Sequence, residues 1–162
     1  MNFLKTRNMK DIEITIDYYT KLNAILAKEQ ALSVGSLRNK PIWIDCIPED
    51  IPPCTEETVC AEISKLTSIN EYNFREIVAN VFCRLVRMQP FFDGNKRATN
   101  VLCNTVLIQK NLGLFVIPVE KIGEFNHLLR DYYTEKNSAI LEFISMELIY
   151  TKSQLCEDAI RG

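Results

Sequence analysis

Glycine and proline are scarce in this chain, at five and six residues of 162. They fall mostly between stretches of periodic apolar residues, so the shortage of breakers favours a helical protein. Metal-binding patterns are missing too. The cysteines Cys46, Cys54, Cys60, Cys83, Cys103 and Cys156 form no C-x-x-C pair, and the single histidine, His127, is distant from them in sequence. That speaks against a zinc site and for reduced, buried thiols. No excess of positive charge is present: the formal net charge is −2, which argues against a general nucleic-acid binder. No apolar run approaches the length of a membrane span, and Met1 to Lys10 lack the apolar core of a signal peptide. The expectation is a cytoplasmic protein with neither membrane nor nucleic acid as partner.

What is present is an ordinary globular composition, 47% hydrophobic and 25% charged, long enough for one well-buried core. Residues 1–150 read as one domain and 151–162 as a C-terminal tail or short helix. From Asp11 to Gln30 the residues Ile12, Ile16, Tyr19, Leu22 and Leu26 recur at helical steps. Leu37 to Ile44 is β-prone and interrupted by Asn39-Lys40-Pro41, which predicts a small hairpin or a bent edge strand. Pro48 to Pro53 is a loop, and Thr55 is placed to cap a helix running to about Leu66. Phe74, Ile77, Val78, Val81, Phe82, Leu85 and Val86 make the longest apolar stripe, with Pro90 just beyond its end. A second apolar helix follows and ends near Gly113. Two more are predicted over Val119 to Tyr133 and Ser138 to Tyr150. The fold class expected is mainly α with one small β element.

Between the two apolar helices lies Gln89-Pro90-Phe91-Phe92-Asp93-Gly94-Asn95-Lys96-Arg97. Gly94 permits positive φ and close backbone approach. Asn95 is a good N-cap residue, so the next helix would begin with unpaired amides facing the loop. A helix N-terminus favours phosphate, Lys96 and Arg97 add charge, and Arg97 can grip phosphate oxygens in parallel bonds. Asp93 offers the hard oxygen that a phosphate-bound Mg2+ prefers. A solvated turn is the competing reading, since Asp-Gly-Asn is also a common turn sequence.

The stretch resembles the motif of the Fic family, His-x-Phe-x-Asp/Glu-Gly-Asn-Gly/Lys-Arg, from Phe91 to Arg97. Gly35 to Ile44 resembles the β-hairpin flap that the family carries upstream of the motif, and Glu124 to Tyr133 resembles the helix that follows. This resemblance implies a Fic-like helical domain, ATP and Mg2+ as cofactors, and transfer of AMP to a protein hydroxyl. It implies that Asp93 holds the metal, that Gly94 and Asn95 form an anion hole, and that Arg97, with Lys96, meets the outer phosphates. Phe91 would anchor the loop in the core, and Asn100 would sit one turn into the helix at a phosphate-contacting position. The flap residues Leu37, Arg38, Asn39, Lys40, Ile42 and Trp43 would dock the target protein, and an inhibitor or antitoxin is a further implied partner.

The chain departs from the family pattern at three places. Gln89 stands where the family has its histidine base, and a carboxamide has no basicity near neutral pH. Asn100 stands where many members have a second arginine. Lys96 is shared with Doc-type relatives that phosphorylate their targets, which makes kinase-like chemistry an alternative, and a silent nucleotide- or target-binding module is another. Ser153-x-x-x-Glu157 partly fits the family's inhibitory helix, as do two other segments of the chain. Trp43 is read either as a docking residue or as a clamp of the flap onto the core. Arg84 and Arg87 either extend the positive field of the loop or form a solvated helix face.

Overall fold

The computed structural model describes residues 9–28 and 33–155. Among the described residues the fold is carried by the α-helices α1 (Ile16–Leu26), α2 (Glu56–Lys65), α3 (Phe74–Met88), α4 (Asn95–Gln109), α5 (Ile122–Tyr133) and α6 (Ala139–Phe143). No helix among the described residues is long and apolar enough to cross a membrane.

The apolar stripe of α3 explains its central place. Val78, Ala79, Val81, Phe82, Cys83, Leu85 and Val86 are all fully buried, because α2, α4 and α6 pack around it. Phe82 meets Phe115 edge-on, with ring centroids 4.9 Å apart, and Phe125 at 6.0 Å. Truncating such a ring to alanine costs about 3–5 kcal/mol. On the far side of α4 lies α1, joined to it by buried hydroxyl pairs: Tyr19 with Thr99 at 2.7 Å and Tyr18 with Thr105 at 2.9 Å. Burial pushes the Tyr19 phenol well above its ordinary value, so it stays neutral and serves as a hydrogen-bonding strut.

The boundaries of α1 differ from the sequence expectation. A 3-10 turn occupies Met9–Asp11, and the helix starts only after Thr15, whose hydroxyl accepts the Tyr18 amide at 3.3 Å. A side-chain cap overrides apolar spacing at that end. Thr55 caps α2 as expected, accepting from the Thr58 amide.

The mainly helical class is as predicted, but the regular β element is in a different place. Gly113–Phe115 (β1) pairs antiparallel with Ile149–Thr151 (β2) in the register Gly113 with Thr151 and Phe115 with Ile149. The helix expected over Ser138 to Tyr150 therefore stops early. After α6, Ile144–Leu148 widen into a π-helical turn, and the chain then extends into β2. A Cβ on Gly113 would stand 2.0 Å from the Tyr150 carbonyl oxygen, so the pairing depends on that glycine. The segment expected to form the flap, Gly35 to Ile44, holds no regular strand. Ile42 instead makes a single antiparallel bridge to Ile51, in the segment expected to be a loop, through backbone bonds of 3.1 and 2.8 Å, so the flap comprises the segments on both sides of that bridge.

Candidate functional site

The loop expected to carry chemistry runs from the end of α3 to the start of α4. Helix α3 stops at Gln89, whose backbone is left-handed, with φ 48 and ψ 61. Pro90 cannot donate the amide hydrogen that the Val86 carbonyl would normally receive. The Gln89 side chain supplies it instead, Nε2 donating to Val86 O at 2.7 Å. Gln89 Nε2 also lies 3.4 Å from the Tyr133 hydroxyl, and Gln89 Oε1 accepts from Asn95 Nδ2 at 2.8 Å. Both ends of the Gln89 carboxamide thus already carry hydrogen bonds, and Oε1 keeps capacity to accept one more.

Phe91 is buried beneath the loop and packs edge-on against Tyr19, with centroids 4.8 Å apart. Asn95 does not cap α4, as its identity had suggested. It is the first helical residue, and its side chain turns back to accept from Phe91 N at 2.9 Å and donate to Phe91 O at 2.8 Å. That carboxamide satisfies a whole buried peptide edge, which outweighs one capping bond. Gly94 takes the capping position with φ 77, and no side chain closes the helix start. The first intrahelical amide bond is Ala98 N to Gly94 O, 2.9 Å, so the helix begins with first-turn amides, those of Asn95 and Lys96 among them, that lie outside its own i to i−4 ladder.

Asn23 of α1 fixes this arrangement. Fully buried, it donates from Nδ2 to Asp93 O at 2.7 Å and accepts Gly35 N at Oδ1, 3.0 Å. A Cβ on Gly94 would come within 3.0 Å of Ala27 Cβ and 3.1 Å of Asn23 Nδ2; positive φ and close approach to α1 both demand glycine there. Gln89, Phe92, Asp93, Gly94, Asn95, Lys96 and Arg97 line a recess of about 310 Å3. The Asp93 and Arg97 side chains are each about half exposed and sit 3.8 Å apart, a weak pair at that exposure. Asp93 Oδ1 accepts the Gly94 amide.

Six of the expected site residues therefore converge. Phe91 lies below the recess, and Asn100 lies away from it, donating to Phe115 O at 3.3 Å and accepting from Asn104 at 3.2 Å. Asn100 is a link to β1, not a wall of the recess. Expected on the target-facing flap, Arg38 is instead only 2% exposed, drawn inward by backbone carbonyls. Leu37 and Ile42 are half-buried, while Asn39, Lys40 and Trp43 are exposed. At 63% exposure Trp43 does not clamp the flap. Arg84 and Arg87 pair with Glu62 and Glu135 and line a separate groove. His127 is exposed beside Asp131, and Glu157 lies outside the described residues. Sequence reasoning missed Asn23, Phe92 and Tyr133; only Asn23 left a trace, as a polar residue on the apolar stripe of α1.

The Fic/DOC family model matches residues 13–107, a span that contains α1 to α3, the recess loop and most of α4. The chain belongs to the Fic/DOC family. It is 23% identical over 141 residues to the protein adenylyltransferase Fic of Drosophila willistoni, a match covering 80% of this chain and 27% of that protein. The chain thus spans about a quarter of that relative's length. Among solved Fic structures, BepC of Bartonella tribocorum with bound AMPPNP superposes with a TM-score of 0.64 at 14% identity, covering 86% of this chain and 76% of that one. Fic-1 of C. elegans gives 0.59 at 17% identity, covering 93% and 46%. These likenesses establish the shared fold.

Proposed function

We propose that this Fic chain binds a magnesium-bound nucleoside triphosphate in the α3–α4 recess and transfers AMP from ATP to a protein hydroxyl, at a rate cut by Gln89. The observation that carries this reading is the start of α4, where Gly94 offers no side-chain cap and the Asn95 and Lys96 amides stand beside the Asp93 carboxylate and the Arg97 guanidinium on the recess wall. Backbone donors and the helix dipole favour phosphate there, and the Arg97 guanidinium adds a formal charge. A relative named as a protein adenylyltransferase and a fold neighbour holding AMPPNP support the same ligand class.

Magnesium fits this setting. It commonly takes one or two carboxylates plus substrate phosphates, and Asp93 is a half-exposed carboxylate on the recess wall. Asp93 would hold the ion, which when bound neutralises charge on the phosphates.

In AMP transfer the target hydroxyl oxygen bonds to the α-phosphorus, the bridge to the β-phosphate breaks, and pyrophosphate leaves. The hydroxyl proton must go to a base. Gln89 can orient the hydroxyl but cannot take its proton, and its Oε1 and Nε2 already bond to Asn95 and Val86. Losing a positioned base slows such a step by about 10²–10⁴. The exposed flap residues Asn39, Lys40 and Trp43 would dock the target's extended backbone by strand addition. A cytoplasmic setting belongs to the same reading.

The test incubates wild type and Gln89→His with lysate and ATP labelled at the α- or the γ-phosphate. The expected result is α-label on protein, raised about 10²–10⁴-fold by the histidine. Transfer of γ-label alone identifies the Doc-like kinase reaction that Lys96 suggests. Nucleotide binding without transfer in either protein identifies a silent binding module.

A further inference from the structure

Arg38 makes an unusually complete set of contacts for a buried cation. All five guanidinium N–H groups reach backbone carbonyls. Nε donates to Gln89 O at 2.5 Å. Nη1 donates to Lys40 O at 2.7 Å and Ile51 O at 3.0 Å. Nη2 donates to Pro52 O at 2.7 Å and Met88 O at 3.2 Å. Its own amide donates to Pro90 O at 2.9 Å. Three of the side-chain acceptors belong to the two flap segments around the Ile42–Ile51 bridge, and two belong to the end of α3. Those last carbonyls are helix-terminal orphans at the negative end of the dipole, which suits a cation.

Gln89 is where the two sets meet. A left-handed backbone in a residue with a Cβ is strained and persists only when its neighbours impose it. The Gln89 carbonyl is held by Arg38, while its side chain is held by Val86 and Asn95. A planar fork with fixed donor directions can hold both segments at once; a lysine ammonium cannot.

We infer that Arg38 is a positioning residue that locks the backbone of Gln89 to the flap, so that displacement of the flap is transmitted to the nucleotide loop. The link to nucleotide rests on the function proposed above, and the experiment separates the two.

Hydrogen exchange of the nucleotide-free protein tests the lock itself. Arg38→Lys is expected to raise exchange by about tenfold both in the flap, residues 38–52, and in the loop, residues 88–95. Loosening of the flap alone, with the loop still protected, overturns the inference whatever the loop binds. If Arg38→Lys does not fold, Ile51→Pro asks the same question, since it removes the Ile51 amide that donates to Ile42 O and leaves the residues of the loop unchanged. Loop exchange must then rise together with flap exchange; an unchanged loop overturns the inference.

A second readout uses Trp43, the chain's one tryptophan, as a flap reporter during Mg-ATP titration. Wild type is expected to show both binding heat and a change in Trp43 emission, and folded Arg38→Lys to keep the heat while losing the emission change. Heat with no emission change in wild type, or an emission change that survives in Arg38→Lys, overturns the transmission. No heat in wild type refutes the nucleotide reading, while the exchange experiment still decides the lock.

Discussion

Replacing Asn23 tests whether the loop is held in place from α1. In Asn23→Ala the Asp93 carbonyl loses a 2.7 Å donor and the Gly35 amide loses a 3.0 Å acceptor. Each buried polar group left unpaired costs about 1–3 kcal/mol. Both sites are only partly buried, so about 2–4 kcal/mol in total is the appropriate estimate. For a chain of this size that lowers Tm by roughly 5–12 °C. Asn23→Asp separates hydrogen bonding from volume. It keeps the shape and the acceptor for Gly35, but it turns a carboxylate oxygen toward the Asp93 carbonyl in a fully buried position. The isosteric change is therefore expected to be at least as damaging as alanine. Calorimetric melting measures the stability, and titration with Mg-ATP should show about tenfold weaker binding in any variant that folds. Asn23→Asp melting within about 2 °C of wild type would refute the argument, because it would mean that the donor to Asp93 does not hold the loop.

Arg97→Ala is expected to weaken Mg-ATP binding roughly 10- to 100-fold, the worth of charge-assisted contacts to phosphate. Arg97→Lys should recover only part of this because it lacks the fork, and equal affinity for all three proteins by titration would contradict the assigned role. A second expectation concerns pH. Burial pushes the Cys103 thiol from its ordinary 9.0 up to about 12 and raises Cys83 as well. Above pH 9 the unfolded chain loses these protons while the folded chain keeps them, so stability is complete below pH 9 and falls as pH rises beyond it. Unfolding free energies from urea titrations between pH 7 and 10.5 should decline at up to about 1.4 kcal/mol per pH unit for each thiol, with the midpoints falling in step, and Cys103→Ala should flatten the decline. A midpoint independent of pH above 9 would show that these thiols are not buried as described.

The parts of the site legible in the sequence are those whose chemistry is local. The stripe of α3, the stop at Pro90, the turn at Gly94 and the charges at Asp93 and Arg97 each follow from a few consecutive residues. The parts that were not legible depend on distant partners. β2 carries no local signal, because Ile140, Phe143, Ile144 and Leu148 keep helical spacing up to its first residue. Its extension is set by pairing with Gly113, whose missing side chain admits the Tyr150 carbonyl. Arg38 reads as a solvated flap charge until the carbonyls at the end of α3, some 50 residues away, are placed beside it.

The same distinction divides the motif itself. Its letters present Phe91, Asp93, Gly94, Asn95, Lys96 and Arg97 as equals, yet packing assigns them to two different tasks. Phe91 and Asn95 are buried against Tyr19 and against the loop's own peptide edge, so their side chains hold the loop and have no bonding capacity left for a ligand. Asp93, Lys96 and Arg97 remain about half exposed or more, at a helix start whose capping residue, Gly94, has no side chain to close it. Asn95 turned inward is what leaves that start open. Had it capped α4, as its identity suggests, it would have closed the anion site that the rest of the motif is arranged to form. The loop's capacity for phosphate therefore depends on Asn95 having a better partner than the helix start, and Gln89 and Phe91 together provide that partner.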